Sequence, residues 1–244
     1  MQVRNIEKGK WIDTIKDVLF PKTCPGCDSI LDRHQLICKV CREKMQYIAE
    51  PRCKKCGKEL SREEYELCYD CQHSTHLFTE GVAAFKYDKL ISKSIYRFKY
   101  HNRRTYAKFY GTAMYTACID YIKRWQADAL VPVPIHREKE RSRGYNQAEL
   151  IANELGKLTN ISVDSRCLKR IRYTKPQKDF DKTGRKKNLE KAFKICTDVV
   201  KYKKIILVDD IYTTGSTIDE CARVLMQAGV KDIYFISLSI GAGV

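Results

Sequence analysis

Apolar residues in this chain fall into short unbroken runs, separated by longer stretches in which they recur every three or four positions. That pattern predicts strands buried on both faces between amphipathic helices. The clearest run is Ile205-Ile-Leu-Val208. It stops at Asp209 and Asp210, passes through Thr213, Thr214, Gly215, Ser216 and Thr217, and gives way to Ile218, Cys221, Ala222, Leu225 and Met226 on one helical face. The order there is strand, polar loop, helix. Residues 81–87, 129–134 and 232–239 read as further strands, and residues 89–97, 106–124 and 148–158 as helices. Such alternation predicts an α/β class, a mainly parallel sheet flanked by helices over residues 80–244. At the other end, Trp11, Ile12, Ile15, Val18 and Leu19 give residues 1–20 a helical spacing stopped by Pro21. Charges of both signs favour packing of that helix on the next module over a place on a membrane surface.

Residues 21–75 follow another logic. Cys24 and Cys27, Cys38 and Cys41, Cys53 and Cys56, and Cys68 and Cys71 are four C-x2-C pairs, eight of the twelve cysteines, and the intervals between them repeat. Each pair sets two thiolates on one side of a tetrahedral ion, so two pairs complete a four-sulfur site. The expectation is a small double zinc ribbon with two structural zinc ions that supply most of its folding energy. The knuckles pair either in sequence or crossed. His34, His73 and His76 are then spare and expected at the surface. Cys24 to Cys71 carries nine basic and nine acidic residues, so the module suits partner docking or a lid over a site better than a nucleic-acid clamp.

Composition narrows the class. At 244 residues the chain can hold one full domain plus a small module. No apolar run approaches the roughly 18 residues of a membrane span, and the charged first twenty residues lack a signal-peptide core, so a cytoplasmic protein is expected. The net charge of +16 sits in two places: residues 86–108 carry +7 and residues 166–194 carry +9, and the rest is neutral. Both segments would attract polyphosphate or nucleic acid. Within the first, Lys99, Arg103 and Arg104 lie among aromatics, a mixture that suits either base stacking beside phosphate or ordinary packing at a helix end. Residues 166–191 read as a mobile basic loop with little periodicity.

The loop after residues 205–208 has a chemical reason in each part. Hydroxyls and a glycine that open a helix offer free N–H groups and a favourable dipole to a phosphate. Asp209 and Asp210 would repel that phosphate, so beside it they face sugar hydroxyls or a metal ion. A helix capped by Thr214 or Ser216 would need neither two acids nor four hydroxyls. Upstream, Arg137, Lys139, Arg141 and Arg143 beside Gly144 form a second candidate anion loop.

Ile205-Ile-Leu-Val-Asp-Asp-Ile-Tyr-Thr-Thr-Gly-Ser-Thr217 resembles the 5-phosphoribosyl 1-diphosphate (PRPP) motif of type I phosphoribosyltransferases. The resemblance implies that Asp209 and Asp210 hold the ribose hydroxyls and act at the reacting centre, that Thr213 to Thr217 hold the 5-phosphate, and that Arg141, Arg143 and Gly144 attend the pyrophosphate. It also implies magnesium bridging donor oxygens. Many such enzymes build an acceptor-binding hood, expected here in the N-terminal half. With Val131-Pro-Val-Pro134, Arg141-x-Arg-Gly-Tyr-Asn-Gln147, Thr174-x-x-Gln177, Arg185-x-x-Asn188 and the double C-x2-C module, the chain resembles the ComF family of competence-related proteins. The family implies a role in natural transformation, acting on internalised single-stranded DNA with a helicase-like partner. Three functions therefore stand as expectations: a phosphoribosyltransferase, a non-catalytic DNA-binding adaptor, and nucleobase salvage.

Overall fold

The computed structural model describes residues 21–172 and 191–241. The helix read over residues 1–20, and most of the basic loop with Thr174, Gln177, Arg185, Lys186 and Asn188, lie outside them. In chain order the elements are α1 (Lys39–Lys44), α2 (Tyr69–Gln72), β1 (Glu80–Lys86), α3 (Lys89–Tyr100), α4 (Tyr106–Trp125), β2 (Ala129–Pro132), α5 (Arg137–Arg143), α6 (Gln147–Thr159), β3 (Leu168–Arg170), β4 (Phe193–Ile195), β5 (Lys204–Tyr212), α7 (Ser216–Gln227) and β6 (Asp232–Ile240). The four-stranded sheet runs β1-β6-β5-β2, and every neighbouring pair is parallel. Ile205, Ile206, Leu207 and Val208 are fully buried, which is why the run carries no polar alternation. β3 and β4 form a separate antiparallel pair.

Three expectations change. β5 does not end at the acids: β6 runs on to Ile240, so the ladder continues through Asp209↔Ser237, Ile211↔Ser239 and Tyr212↔Ile240. The stretch read as an anion loop is helical over Arg137–Arg143, closed by Gly144 in the left-handed region at φ 77°. The described start of the basic loop forms β3, which pairs with β4 just beyond the loop's end.

The cysteine-rich half is bound into the sheet. Ile48 N–H donates to Ala84 O at 3.0 Å and Lys86 N–H to Gln46 O at 3.0 Å, so the link between the two ribbons covers the free edge of β1. The knuckles pair in sequence: Cys24, Cys27, Cys38 and Cys41 converge, as do Cys53, Cys56, Cys68 and Cys71, with the sulfurs of each set within 4.8 Å of one another. Zinc–sulfur bonds of about 2.3 Å in a tetrahedron require sulfurs about 3.8 Å apart. Cys27 to Cys38 at 3.8 Å and Cys56 to Cys68 at 3.6 Å fit that ion. Cys24 and Cys41 share an apolar cluster with α3 and α4, whereas all four cysteines of the second set share one with Phe78, Tyr212 and Ile218 beneath the Thr213 to Thr217 loop. Among the described residues no helix is long and apolar enough to cross a membrane.

Candidate functional site

β2 and β5 are neighbours, and their carboxyl ends open on a cleft of about 500 Å³ lined by Asp209, Asp210, Thr213, Thr217, Lys99, Tyr100, Lys139, Arg143 and Arg170 among others. Successive side chains leave a strand on opposite faces, so the two acids meet different neighbours. Asp210 Oδ2 is 2.6 Å from Lys99 Nζ on α3. Asp209 lies where its charge is felt by Arg170 of β3 and by the buried Cys221 of α7. Burial, with the charge of Asp210 added, pushes Asp209 up to about 7, while Lys99 and Arg170 pull the other way.

After the acids, β5 turns at Thr213, Thr214 and Gly215 into α7. Gly215 is the N-cap at φ 79° and no side chain caps the helix. Thr214 and Ser216 hydroxyls bond each other at 3.0 Å instead. A helix start whose N-cap offers no side-chain acceptor can turn its first N–H groups to an anion. Gly215 is needed twice over. Its φ suits glycine, and a Cβ would come within 2.6 Å of the Tyr212 hydroxyl and 2.8 Å of His76 Cε1.

Cations ring the same cleft. Because α5 is a helix, Lys139 and Arg143 share a face and line the cleft, while Arg141, two residues away, is exposed outside it. Burial and the neighbouring Arg170, Arg143 and Lys99 push the Lys139 ammonium down, the mark of crowded positive charge. Arg143 Nη2 donates to the Tyr100 hydroxyl at 3.2 Å, and its guanidinium lies 5.1 Å from the Tyr100 ring centroid. The segment Gly144-Tyr-Asn-Gln147 is the joint beneath. Gly144 ends α5, Tyr145 packs on Phe98 and bonds its carbonyl, and Asn146 caps α6 by accepting from Ala148 N–H at 3.1 Å.

The structure commits the three nucleic-acid candidates internally. Lys99 holds Asp210, Arg103 Nη2 meets Asp28 Oδ2 at 2.7 Å, and Arg104 Nη2 donates to Gly144 O at 3.0 Å while its guanidinium packs on Tyr145. Tyr96 and Tyr100 stay 56% exposed, with ring centroids 4.9 Å apart.

Two residues of the site have no signal in the sequence. Arg170 comes from β3 in a stretch without periodicity. His76, expected at the surface, is only 3% exposed in its side chain, and its Nδ1–H donates to Asp219 Oδ2 at 2.8 Å.

Residues 15–72 match the double zinc ribbon domain family. Over a longer span the chain is similar to Competence protein F of Haemophilus influenzae, 29% identical over 202 residues that cover 81% of this chain and 87% of that protein. It is also similar to the DNA utilization protein YhgH of Escherichia coli, 26% identical over 204 residues that cover 82% of this chain and 88% of that protein. Among solved structures, a purine phosphoribosyltransferase from Pyrococcus horikoshii covers 54% of this chain and 73% of its own, at 15% identity and a TM-score of 0.33.

Proposed function

We propose that this chain, a relative of the ComF competence proteins with a double zinc ribbon ahead of a parallel α/β domain, binds PRPP and transfers its phosphoribosyl group during the handling of incoming DNA. One observation carries the reading: an acid pair, an uncapped hydroxyl-rich helix start and several cations meet in a single cleft at the carboxyl ends of β2 and β5. In this reading the Thr213 to Thr217 loop takes the 5-phosphate and the acids orient the ribose hydroxyls. Lys139, Arg143 and Arg170 face the pyrophosphate as negative charge grows on it. The carboxylates are hard oxygen donors that suit magnesium, which supplies charge neutralisation on the diphosphate when bound with the donor. The two sulfur sets hold zinc structurally.

Pyrophosphate release from labelled PRPP with Mg2+, assayed against a panel of acceptors that includes single-stranded DNA and free nucleobases, tests the enzyme. Wild type is expected to release it, and Asp209→Ala/Asp210→Ala is expected not to. Silence of the wild type with every acceptor would overturn the transfer step.

A second reading, a non-catalytic single-stranded DNA adaptor for a translocating partner, draws on Tyr96 and Tyr100, whose exposed rings suit base stacking beside basic residues. The printed names of the relatives, a competence protein and a DNA utilization protein, support a DNA-linked setting for either reading. Loss of DNA retention on Tyr100→Ala with no pyrophosphate release from the wild type would favour the adaptor.

A further inference from the structure

The phosphate loop has a floor, and the floor belongs to the second zinc ribbon. Five residues beyond its last cysteine, Cys71, the chain places the His76 ring under Gly215, so close that a Cβ on Gly215 would sit 3.0 Å from His76 Nδ1. The ring is fixed from two sides. It stacks on Phe78 at 4.9 Å between centroids, and Nδ1 meets Asp219 Oδ2 at 2.8 Å. A carboxylate only accepts, so the proton of that bond sits on Nδ1. The other oxygen, Asp219 Oδ1, accepts from Leu77 N–H at 2.8 Å. One carboxylate in the first turn of α7 thus grips two successive residues of the ribbon's exit, across a sequence separation of 143 residues for His76. Below lies an aromatic block. Phe78 meets Phe235 edge-on at 4.9 Å, and Tyr212 stacks on Phe235 at 4.5 Å. The four cysteines of the second set belong to the same apolar cluster, whereas those of the first set do not.

We propose that His76 is a positioning residue: through Asp219 the second zinc ribbon sets the conformation of the Thr213 to Thr217 loop, so that zinc binding at Cys53, Cys56, Cys68 and Cys71 and donor binding at the loop are coupled. The donor half of this coupling rests on the PRPP reading above. Coupling between two sites is reciprocal, so an ordered loop must hold the second zinc more firmly, just as the zinc orders the loop. The first site, packed on α3 and α4, stands outside this circuit.

Two measurements on the full zinc-loaded chain test the proposal. The first is hydrogen exchange of the Asp219 amide, whose N–H closes the turn on Gly215 O at 2.8 Å, in wild type, His76→Ala and His76→Asn, each confirmed by metal analysis to carry both ions. His76 Nε2 has no hydrogen-bond partner among the described residues, so asparagine, which can reproduce the donor at Nδ1, retains every polar contact of the ring. Exchange about ten-fold faster in His76→Ala and close to wild type in His76→Asn is expected. Unchanged exchange in His76→Ala, or equal loss in both variants, would overturn a positioning role and leave a ring that only fills space.

The second measurement follows alkylation of the eight ribbon cysteines by peptide mass spectrometry in the presence of a chelator, with and without saturating PRPP and Mg2+. Slower labelling of Cys53, Cys56, Cys68 and Cys71, with Cys24, Cys27, Cys38 and Cys41 unaffected, is expected. Equal rates with donor bound would overturn the coupling. If the wild type takes up no PRPP, the donor reading fails by itself, and the exchange comparison alone decides whether His76 positions the loop.

Discussion

Lys99 Nζ stands 2.6 Å from Asp210 Oδ2, so a cation from the basic and aromatic segment of α3 closes directly on the acid pair of the cleft. This ammonium is the counter-ion of Asp210, and it also draws Asp209 downward. Lys99→Gln is therefore expected to raise Asp209 further and to weaken PRPP binding by about 10- to 100-fold, the worth of one charged hydrogen bond. Calorimetric titration with PRPP and Mg2+ measures it. An unchanged dissociation constant would remove Lys99 from the donor site.

Asp209 carries a pH signature. Its carboxyl is raised to about 7 by burial and by Asp210, so the folded chain favours the protonated form. A group raised in this direction contributes stability that is present below the ordinary carboxylate pKa of about 4 and fades as pH climbs through about 7. Urea melts of the donor-free protein are expected to show a decline between about pH 4 and pH 7 that Asp209→Asn flattens. Donor affinity should move oppositely, rising as Asp209 ionises, because a carboxylate accepts hydroxyl hydrogen bonds on both oxygens and a protonated acid accepts fewer.

Gly215→Ala combines an unfavourable backbone with a collision. The left-handed φ of 79° alone costs a residue with a Cβ about 1–2 kcal/mol. The new methyl would also press on the Tyr212 hydroxyl and His76. We expect a measurably lower melting temperature and loss of PRPP binding, with both zinc ions retained on metal analysis. Tight PRPP binding by this variant would argue against the loop as the phosphate cradle.

Removal of zinc should cost the protein most of its order in the N-terminal half. Six of the eight ribbon cysteines sit inside the two apolar clusters that also hold the sheet, so the damage spreads into the α/β domain. Cys56→Ser, which removes a fully buried ligand, is expected to lower thermal stability more than Cys27→Ser at the exposed corner of the first site. Paired melts with metal counts check the order.

Much of this arrangement is legible in the residues themselves. Ile205 to Val208 announces a central strand because every side chain in it is buried, and the cysteine knuckles announce their ions because the ligand chemistry is local. What escapes is what depends on distant partners. β5 continues through Asp209 and Asp210 only because β6 supplies pairing as far as Ile240. α5 buries none of its residues, so no apolar stripe marks it, and its helical turn decides that Lys139 and Arg143, rather than Arg141, face the cleft. β3 and β4 pair over three residues each, too few for periodicity to show. His76 gives no local sign at all, since its partner Asp219 lies at the far end of the chain.

The strip at residues 46–48 that lies along β1 has a practical consequence. A truncated protein that begins at the first strand would present a bare row of amide and carbonyl groups, able to template pairing with a second copy. Attempts to isolate the α/β domain from its metal-binding companion should therefore end in self-association, and the two halves are best regarded as one unit of folding.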